Sequence, residues 1–182
     1  MSRLVPGTTI KVKGPKGQMV YTPNMVREIG MLAGGTGITP MLQIIRAVMK
    51  NPDDKTRISL IYANVTTDDI LLREDLDSLS VNHPEKFRLQ LVVEKKVDGW
   101  SGGVGFISEA MIREFCPPPA QDIKILICGP PPMVSAMKKH TEVTPLFTFL
   151  TLGNRLRKST GSKQTLGPSL RILEPIVIGH ID

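Results

Sequence analysis

The chain has 182 residues, 41% of them apolar, and a formal charge of +6. That length fits one ordinary domain with extensions, and that apolar share excludes a disordered or collagen-like chain. Two cysteines, Cys116 and Cys128, argue against a disulfide scaffold and for a reducing compartment; no run approaches the roughly 18 apolar residues of a membrane-spanning helix.

In chain order, the start Met1-Ser2-Arg3-Leu4 has no signal-peptide core. Residues 8–12 and 18–21 read as short strands about a Gly14-Pro15-Lys16-Gly17 turn. Residues 28–142 then alternate. Apolar runs at 29–33, 57–64, 87–94 and 122–128 predict strands, while 40–49, 68–79, 108–115 and 133–141 predict helices. Asn51-Pro52 ends the first helix, Asp68 is placed as N-cap of the second, and Pro117-Pro118-Pro119 stops the third. This order predicts the α/β class: a doubly wound, mostly parallel sheet with helices on both faces and right-handed crossovers. The tail, 143–182, breaks the alternation. Its Arg155, Arg157, Lys158, Lys163 and Arg171 outweigh Glu174 and Asp182, but no nucleic-acid motif accompanies them. It reads as a solvated basic tail, and nucleic acid is not an expected partner.

Two turns carry the chemistry. Gly34-Gly35-Thr36-Gly37-Ile38-Thr39-Pro40 follows the first strand of the alternating region, and Cys128-Gly129-Pro130-Pro131-Pro132-Met133 follows the last. Ligands of open α/β sheets sit beyond the carboxyl ends of the strands, so both turns are expected on one rim. The first is neither G-x-G-x-x-G nor a P-loop. Its glycines still permit φ > 0 and remove the bulk that would block a flat ring or a pyrophosphate. Thr36 and Thr39 add hydroxyls, and Thr39-Pro40 suits N-cap followed by the first helical residue. A plain tight turn explains the first motif alone as well; the second motif tips the balance. His83, His140 and His180 lack metal-site spacing, and no metal is expected. No Ser-His-Asp or Cys-His arrangement is visible.

These residues together resemble the ferredoxin-reductase-like flavoenzymes and, among them, the NADH-cytochrome b5 reductases. The resemblance runs from Pro6-Gly7 through Ile10-Lys11-Val12-Lys13-Gly14-Pro15-Lys16-Gly17, Gly30-Met31-Leu32-Ala33 and the first turn to Met41-Leu42-Gln43-Ile44-Ile45-Arg46-Ala47. It continues through Tyr62-Ala63-Asn64-Val65-Thr66, Asp69-Ile70-Leu71-Leu72-Arg73-Glu74 and Gly99-Trp100-Ser101-Gly102-Gly103-Val104-Gly105-Phe106 to the second turn, and fades near Lys139. Nitrate reductases share both end motifs, but the 102–106 run looks more like the b5 reductases.

The resemblance implies hydride transfer from NADH to FAD, then single electrons to a haem protein such as cytochrome b5. It implies an NAD-binding α/β domain at 28–142, preceded at 1–27 by a remnant of a flavin-binding β-barrel whose Arg-x-Tyr-Ser/Thr motif this sequence lacks. It implies work on the cytoplasmic side of the endoplasmic reticulum or outer mitochondrial membrane, with the family's usual anchor not expected in this sequence. Most of the flavin half is expected to be missing, so a non-catalytic dinucleotide-binding fragment stands as the alternative. Thr36 is implied to lie between flavin and nicotinamide, and Cys128 to set the nicotinamide in place without acting as a nucleophile. Gly34, Gly35, Gly37, Thr39, Pro40, Gly129, Pro130, Pro131 and Met133 are implied to line the dinucleotide.

Glu94 is implied to face the ribose. A carboxylate there accepts from a 2′-hydroxyl and repels a 2′-phosphate, favouring NADH over NADPH, although Lys95 and Lys96 pull the other way. An exposed strand-end glutamate is the plain reading of the same residue. The family closes with one further strand; here 143–182 is expected to be atypical and poorly ordered, and neither Phe147 nor Phe149 is expected to supply that strand.

Overall fold

The structure is a computed structural model that describes residues 19–142, 149–151 and 176–177. The predicted strand 8–12, the turn at 14–17 and most of the tail lie outside the described residues.

Six strands form one parallel sheet: β2 (Glu28–Gly34), β3 (Arg57–Asn64), β4 (Phe87–Val93), β5 (Gly103–Val104), β6 (Ile123–Cys128) and β7 (Phe149–Thr151), in the order β5-β4-β3-β2-β6-β7. A short β1 (Val20–Tyr21) pairs antiparallel with β8 (Ile176–Val177). The central strands are apolar on both faces because helices cover both. Ile29, Met31, Leu60, Tyr62 and Phe87 join one core with α1 (Ile38–Lys50) and α2 (Arg73–Asn82). Leu32, Ile61, Ile125 and Ile127 join a second core with α3 (Glu109–Phe115) and α4 (Pro131–Glu142). Alternate residues of one strand go to opposite cores, the period of two that a strand imposes.

Helix α1 buries Ile38, Met41, Leu42, Ile44, Ile45 and Val48, a stripe at helical spacing. It stops at Asn51, held extended by Pro52. Helix α3 starts at the expected place, with the Ser108 hydroxyl accepting from the Met111 N–H.

Four expectations change. Helix α1 begins at Ile38, with Gly37 at its N-cap and a 3-10 turn at Gly35–Gly37 before it. Thr39 is therefore inside the first turn and donates its hydroxyl back to the Thr36 carbonyl at 3.0 Å. Helix α2 begins at Arg73, and Asp68 is not its cap. Asp69 instead closes a local turn, accepting from the Thr66 N–H and hydroxyl, and Leu72 at φ +58° blocks any earlier helix. Helix α4 starts at Pro131, two residues early, since a first-turn N–H has no acceptor within the helix and proline loses nothing by lacking one. Finally, Phe149–Thr151 does extend the sheet beside β6, against the expectation for Phe149. Strand β5 went unread because its two residues offer no apolar run.

At the amino-terminal rim, Tyr21 is buried and donates to Asp54 Oδ2 at 2.5 Å; Asp54 also accepts from the Thr56 and Asn24 N–H groups. This network ties the segment of β1 to the loop before β3. Nearby, Arg27 donates to Asp122, and Arg57 and Arg27 share Glu28.

Candidate functional site

In a parallel sheet every carboxyl end faces the same rim. Here β2 ends at Gly34, β3 at Asn64, β4 at Val93 and β6 at Cys128. The chain winds outward from β2 through β3 and β4, then returns to add β6 on the other side of β2. The strand order thus reverses between β2 and β6, and the crevice of an open α/β sheet lies at that point. Both glycine-proline turns emerge there, from neighbours paired Ala33 to Cys128.

The two turns are pressed together. A Cβ on Gly37 would lie 2.1 Å from the Cys128 carbonyl oxygen. One on Gly34 would lie 2.5 Å from the Met133 sulfur, and one on Gly129 2.8 Å from the same sulfur. These glycines are therefore required by contact, and Met133 packs over both turns. Gly35 is different: it sits at φ +53° with nothing within 4 Å of a would-be Cβ, open space beside the crevice. Thr36 is exposed on the lip, and Pro130 and Pro131 are exposed across from it.

Cys128 is buried, and burial pushes its thiol above the ordinary value. It stays a thiol at neutral pH, which fits a shaping role and not a nucleophilic one. Cys116, also buried, is pushed up to about 12.

Glu94 is exposed on the same rim but two strands from the glycine turn, about 10 Å by strand spacing. Its N–H is shared between the Asn64 and Val65 carbonyls at 3.2 Å each, which fixes the backbone and leaves the carboxylate free to project. Lys95 and Lys96 are exposed beside it. Phe106 follows β5 along the same rim at 80% exposure, and Gly105 donates to the Val93 carbonyl just before Glu94. Trp100 folds over Gly102 and donates its indole N–H to the Gly103 carbonyl at 2.9 Å, shaping this end.

The sequence reading missed three rim residues. Tyr62 is buried, donates its hydroxyl to the Gly35 carbonyl at 2.9 Å and accepts from the Leu71 N–H at 3.3 Å. Burial, with the Asp69 charge adding to it, raises its pKa, so it remains a donor. Asn64 is 7% exposed; its amide stands beside that hydroxyl, but neither amide atom reaches hydrogen-bond geometry. Phe106 is the third. The available signal was a polar-tipped Tyr62 and Asn64 at the end of an otherwise apolar strand. Among the described residues, no group of His, Cys, Asp or Glu side chains could hold a metal ion. None of the described helices is long and apolar enough to cross a membrane.

A doubly wound parallel sheet with two glycine turns meeting at its order reversal is the layout of a dinucleotide-binding oxidoreductase domain. Residues 31–139 match the family described as the oxidoreductase NAD-binding domain, and the chain belongs to that family. It is 59% identical over 141 residues to NADH-cytochrome b5 reductase 1 of Mortierella alpina, covering 78% of this chain and 47% of the relative. It is 60% identical over 141 residues to NADH-cytochrome b5 reductase 1 of Aspergillus fumigatus, covering 75% of this chain and 45% of the relative. The chain thus spans about half the length of the curated relatives it matches. Among solved structures it is similar to the cytochrome b5 reductase domain of Ulva prolifera nitrate reductase, with a TM-score of 0.71, 34% identity, and coverage of 76% of this chain and 59% of that one. The CS-b5R domains of human Ncb5or, in an NAD+ form, share the fold at a TM-score of 0.61 and 24% identity, over 69% of this chain and 37% of that one.

Proposed function

We propose that residues 28–142 are the NADH-binding unit of an NADH-cytochrome b5 reductase, and that residues 1–27 lead in from a flavin-binding barrel. One observation carries this reading: the glycine turn after β2 and the Cys128 turn after β6 meet in van der Waals contact where the strand order reverses. A bound NADH supplies the hydride. The chain supplies position, which is most of what a protein adds to cofactor chemistry.

In this reading Gly34, Gly37 and Gly129 keep the crevice floor bare, and Met133 closes it from one side. Thr36 and Thr39 lie on the first turn with Pro40, and the outward N–H groups of that turn meet the dinucleotide's oxygens. Pro130 and Pro131 stiffen the opposite lip, and Cys128 sets its height. Glu94 accepts from the 2′-hydroxyl of the adenosine ribose, and the exposed Phe106 ring offers the adenine a flat partner. FAD is the proposed hydride acceptor, supported by the family resemblance, and a haem protein such as cytochrome b5 is the proposed electron partner, supported by the relatives' names. The described residues contain no set of groups that fits the phosphates and ring of FAD. The proposed setting is the cytoplasmic side of a membrane, where buried thiols such as Cys116 and Cys128 stay reduced.

Calorimetric titration of the chain with NADH and with NADPH tests the reading. Saturable binding is expected, tighter for NADH. No saturable NADH binding at millimolar concentration overturns it.

A further inference from the structure

We propose that Tyr62 is a positioning residue for the dinucleotide: its hydroxyl fixes the Gly35–Thr36 peptide so that the Thr36 N–H faces the ligand. The proposal rests on the functional reading above and adds to it a residue that never touches the ligand.

The Tyr62 ring is fully buried in the core under α1, so its position is set by packing. Only its hydroxyl reaches the rim. There it donates to the Gly35 carbonyl and accepts from the Leu71 N–H. A trans peptide is planar, with its carbonyl and N–H pointing in opposite directions. Drawing the Gly35 carbonyl inward therefore turns the Thr36 N–H outward, over the crevice. Packing does not hold this peptide: Gly35 stands at φ +53° with nothing within 4 Å of its Cβ position, so the Tyr62 hydroxyl joins the Ile38 N–H, which is shared with the Thr36 carbonyl, in fixing it. The second partner sits in a similar state. Leu71 precedes Leu72, which is held at φ +58°, a costly conformation for a branched side chain. The Ile38 N–H also reaches the Gly35 carbonyl, and Asp69 closes the second turn on Thr66. The Tyr62 hydroxyl adds the link between the two: the glycine turn after β2 and the turn between β3 and α2. The oxygen that the Thr36 N–H meets belongs either to the pyrophosphate or to the nicotinamide carboxamide.

The test is Tyr62→Phe, which keeps the buried ring and removes only the hydroxyl, read by titration with NAD+, ADP-ribose and 5′-AMP. Binding of NAD+ is expected to weaken about five- to tenfold while 5′-AMP, which occupies only the Glu94 end, binds unchanged. Weakening of ADP-ribose as well assigns the oxygen to the pyrophosphate; weakening of NAD+ alone assigns it to the carboxamide. A general structural role would weaken all three ligands, and that result overturns the proposal, as does equal NAD+ affinity in the two proteins. Failure of the wild-type chain to bind NAD+ overturns the functional reading and this proposal with it. If Tyr62→Phe does not fold, the wild-type chain decides by amide exchange: saturation with NAD+ is expected to slow exchange of the Leu71 N–H, and no change there overturns the coupling.

Discussion

At the scale of single residues, four glycines in the two turns have different reasons to be glycine, and mutation separates them. Gly37→Ala drives a methyl into the Cys128 carbonyl, backbone against backbone, where neither side can yield cheaply. It is expected to cost about 3 kcal/mol, to lower the urea midpoint, and to abolish dinucleotide binding. Gly35→Ala meets no atoms and pays only for its left-handed backbone, about 1 kcal/mol. A Gly35→Ala variant as unstable as Gly37→Ala in the same urea series would sink this ordering. Glu94→Gln is expected to narrow the preference for NADH over NADPH by about 1–2 kcal/mol, the scale of a hydrogen bond to a charged group. Calorimetry with both cofactors checks it, and an unchanged ratio removes Glu94 from the ribose. The place of the glycines and of Glu94 at strand ends was legible in the sequence because it is local: a strand, then a turn too small for side chains, or a carboxylate where the apolar run stops. Tyr62, Asn64 and Phe106 were not, because their importance depends on what lies across the rim. Gly35 is 27 residues before Tyr62 in the chain, and no spacing rule links them.

At the scale of elements, the reading succeeded where hydrophobic periodicity was strong and failed where a side chain competed with the backbone. The strand at Arg57–Asn64 was predicted to the residue because its apolar run is bounded by polar ends. The start of α2 was misplaced because Asp68 looked like a cap, whereas Asp69 beside it closes a turn on Thr66 and Leu72 at φ +58° holds the helix off until Arg73. The Tyr21–Asp54 network was also invisible, since its partners are 33 residues apart. It gives this element a pH signature. Burial pushes the Asp54 carboxyl up, but hydrogen bonds from Tyr21, Thr56 and Asn24 outweigh burial and hold it below the ordinary value of 3.8. A depressed carboxyl contributes stability above its unfolded pKa and loses it as pH falls through the lower folded value. Tyr21 is raised, first by burial and then by Asp54, so its contribution is present below the ordinary 10.0 and lost as pH climbs beyond it. Melting temperature against pH is therefore expected to fall at both ends. Asp54→Asn is expected to cost about 1.5 kcal/mol at neutral pH, the charge assistance of its bonds, and to flatten the acid limb. An acid limb identical in the two proteins would show that Asp54 does not cause it.

At the scale of the whole molecule, one parallel sheet separates two kinds of work. Its amino-terminal rim holds Tyr21–Asp54, Arg27–Asp122 and the Glu28 pairs, which fasten loops to strands. Its carboxyl-terminal rim holds both glycine turns, Glu94 and Phe106, with open space above Gly35. Parallel pairing is what makes this possible, because it sends every strand's carboxyl end the same way and every loop of the site with it. The division was foreseeable from alternating strands and helices; the place of the crevice followed only once β6 was seen beside β2. The expected outcome is a ligand footprint confined to one rim. In an isotope-labelled chain titrated with NAD+, amide shifts should concentrate at residues 34–37, 64–71, 94–106 and 128–133, and leave 21–28, 54–57 and 122–123 unmoved. The same titration should raise the unfolding free energy by about 2.7 kcal/mol at a hundredfold excess over Kd, because the unfolded chain has no rim to bind with. Shifts spread over both rims would mean that NAD+ reorganises the sheet instead of meeting a formed crevice. Shifts at the amino-terminal rim alone would place the ligand among the Arg27 and Arg57 guanidiniums, a charge-driven contact that added salt would erase. Binding at the carboxyl rim should survive that salt, since it depends on backbone N–H groups and close contact at bare glycines more than on net charge.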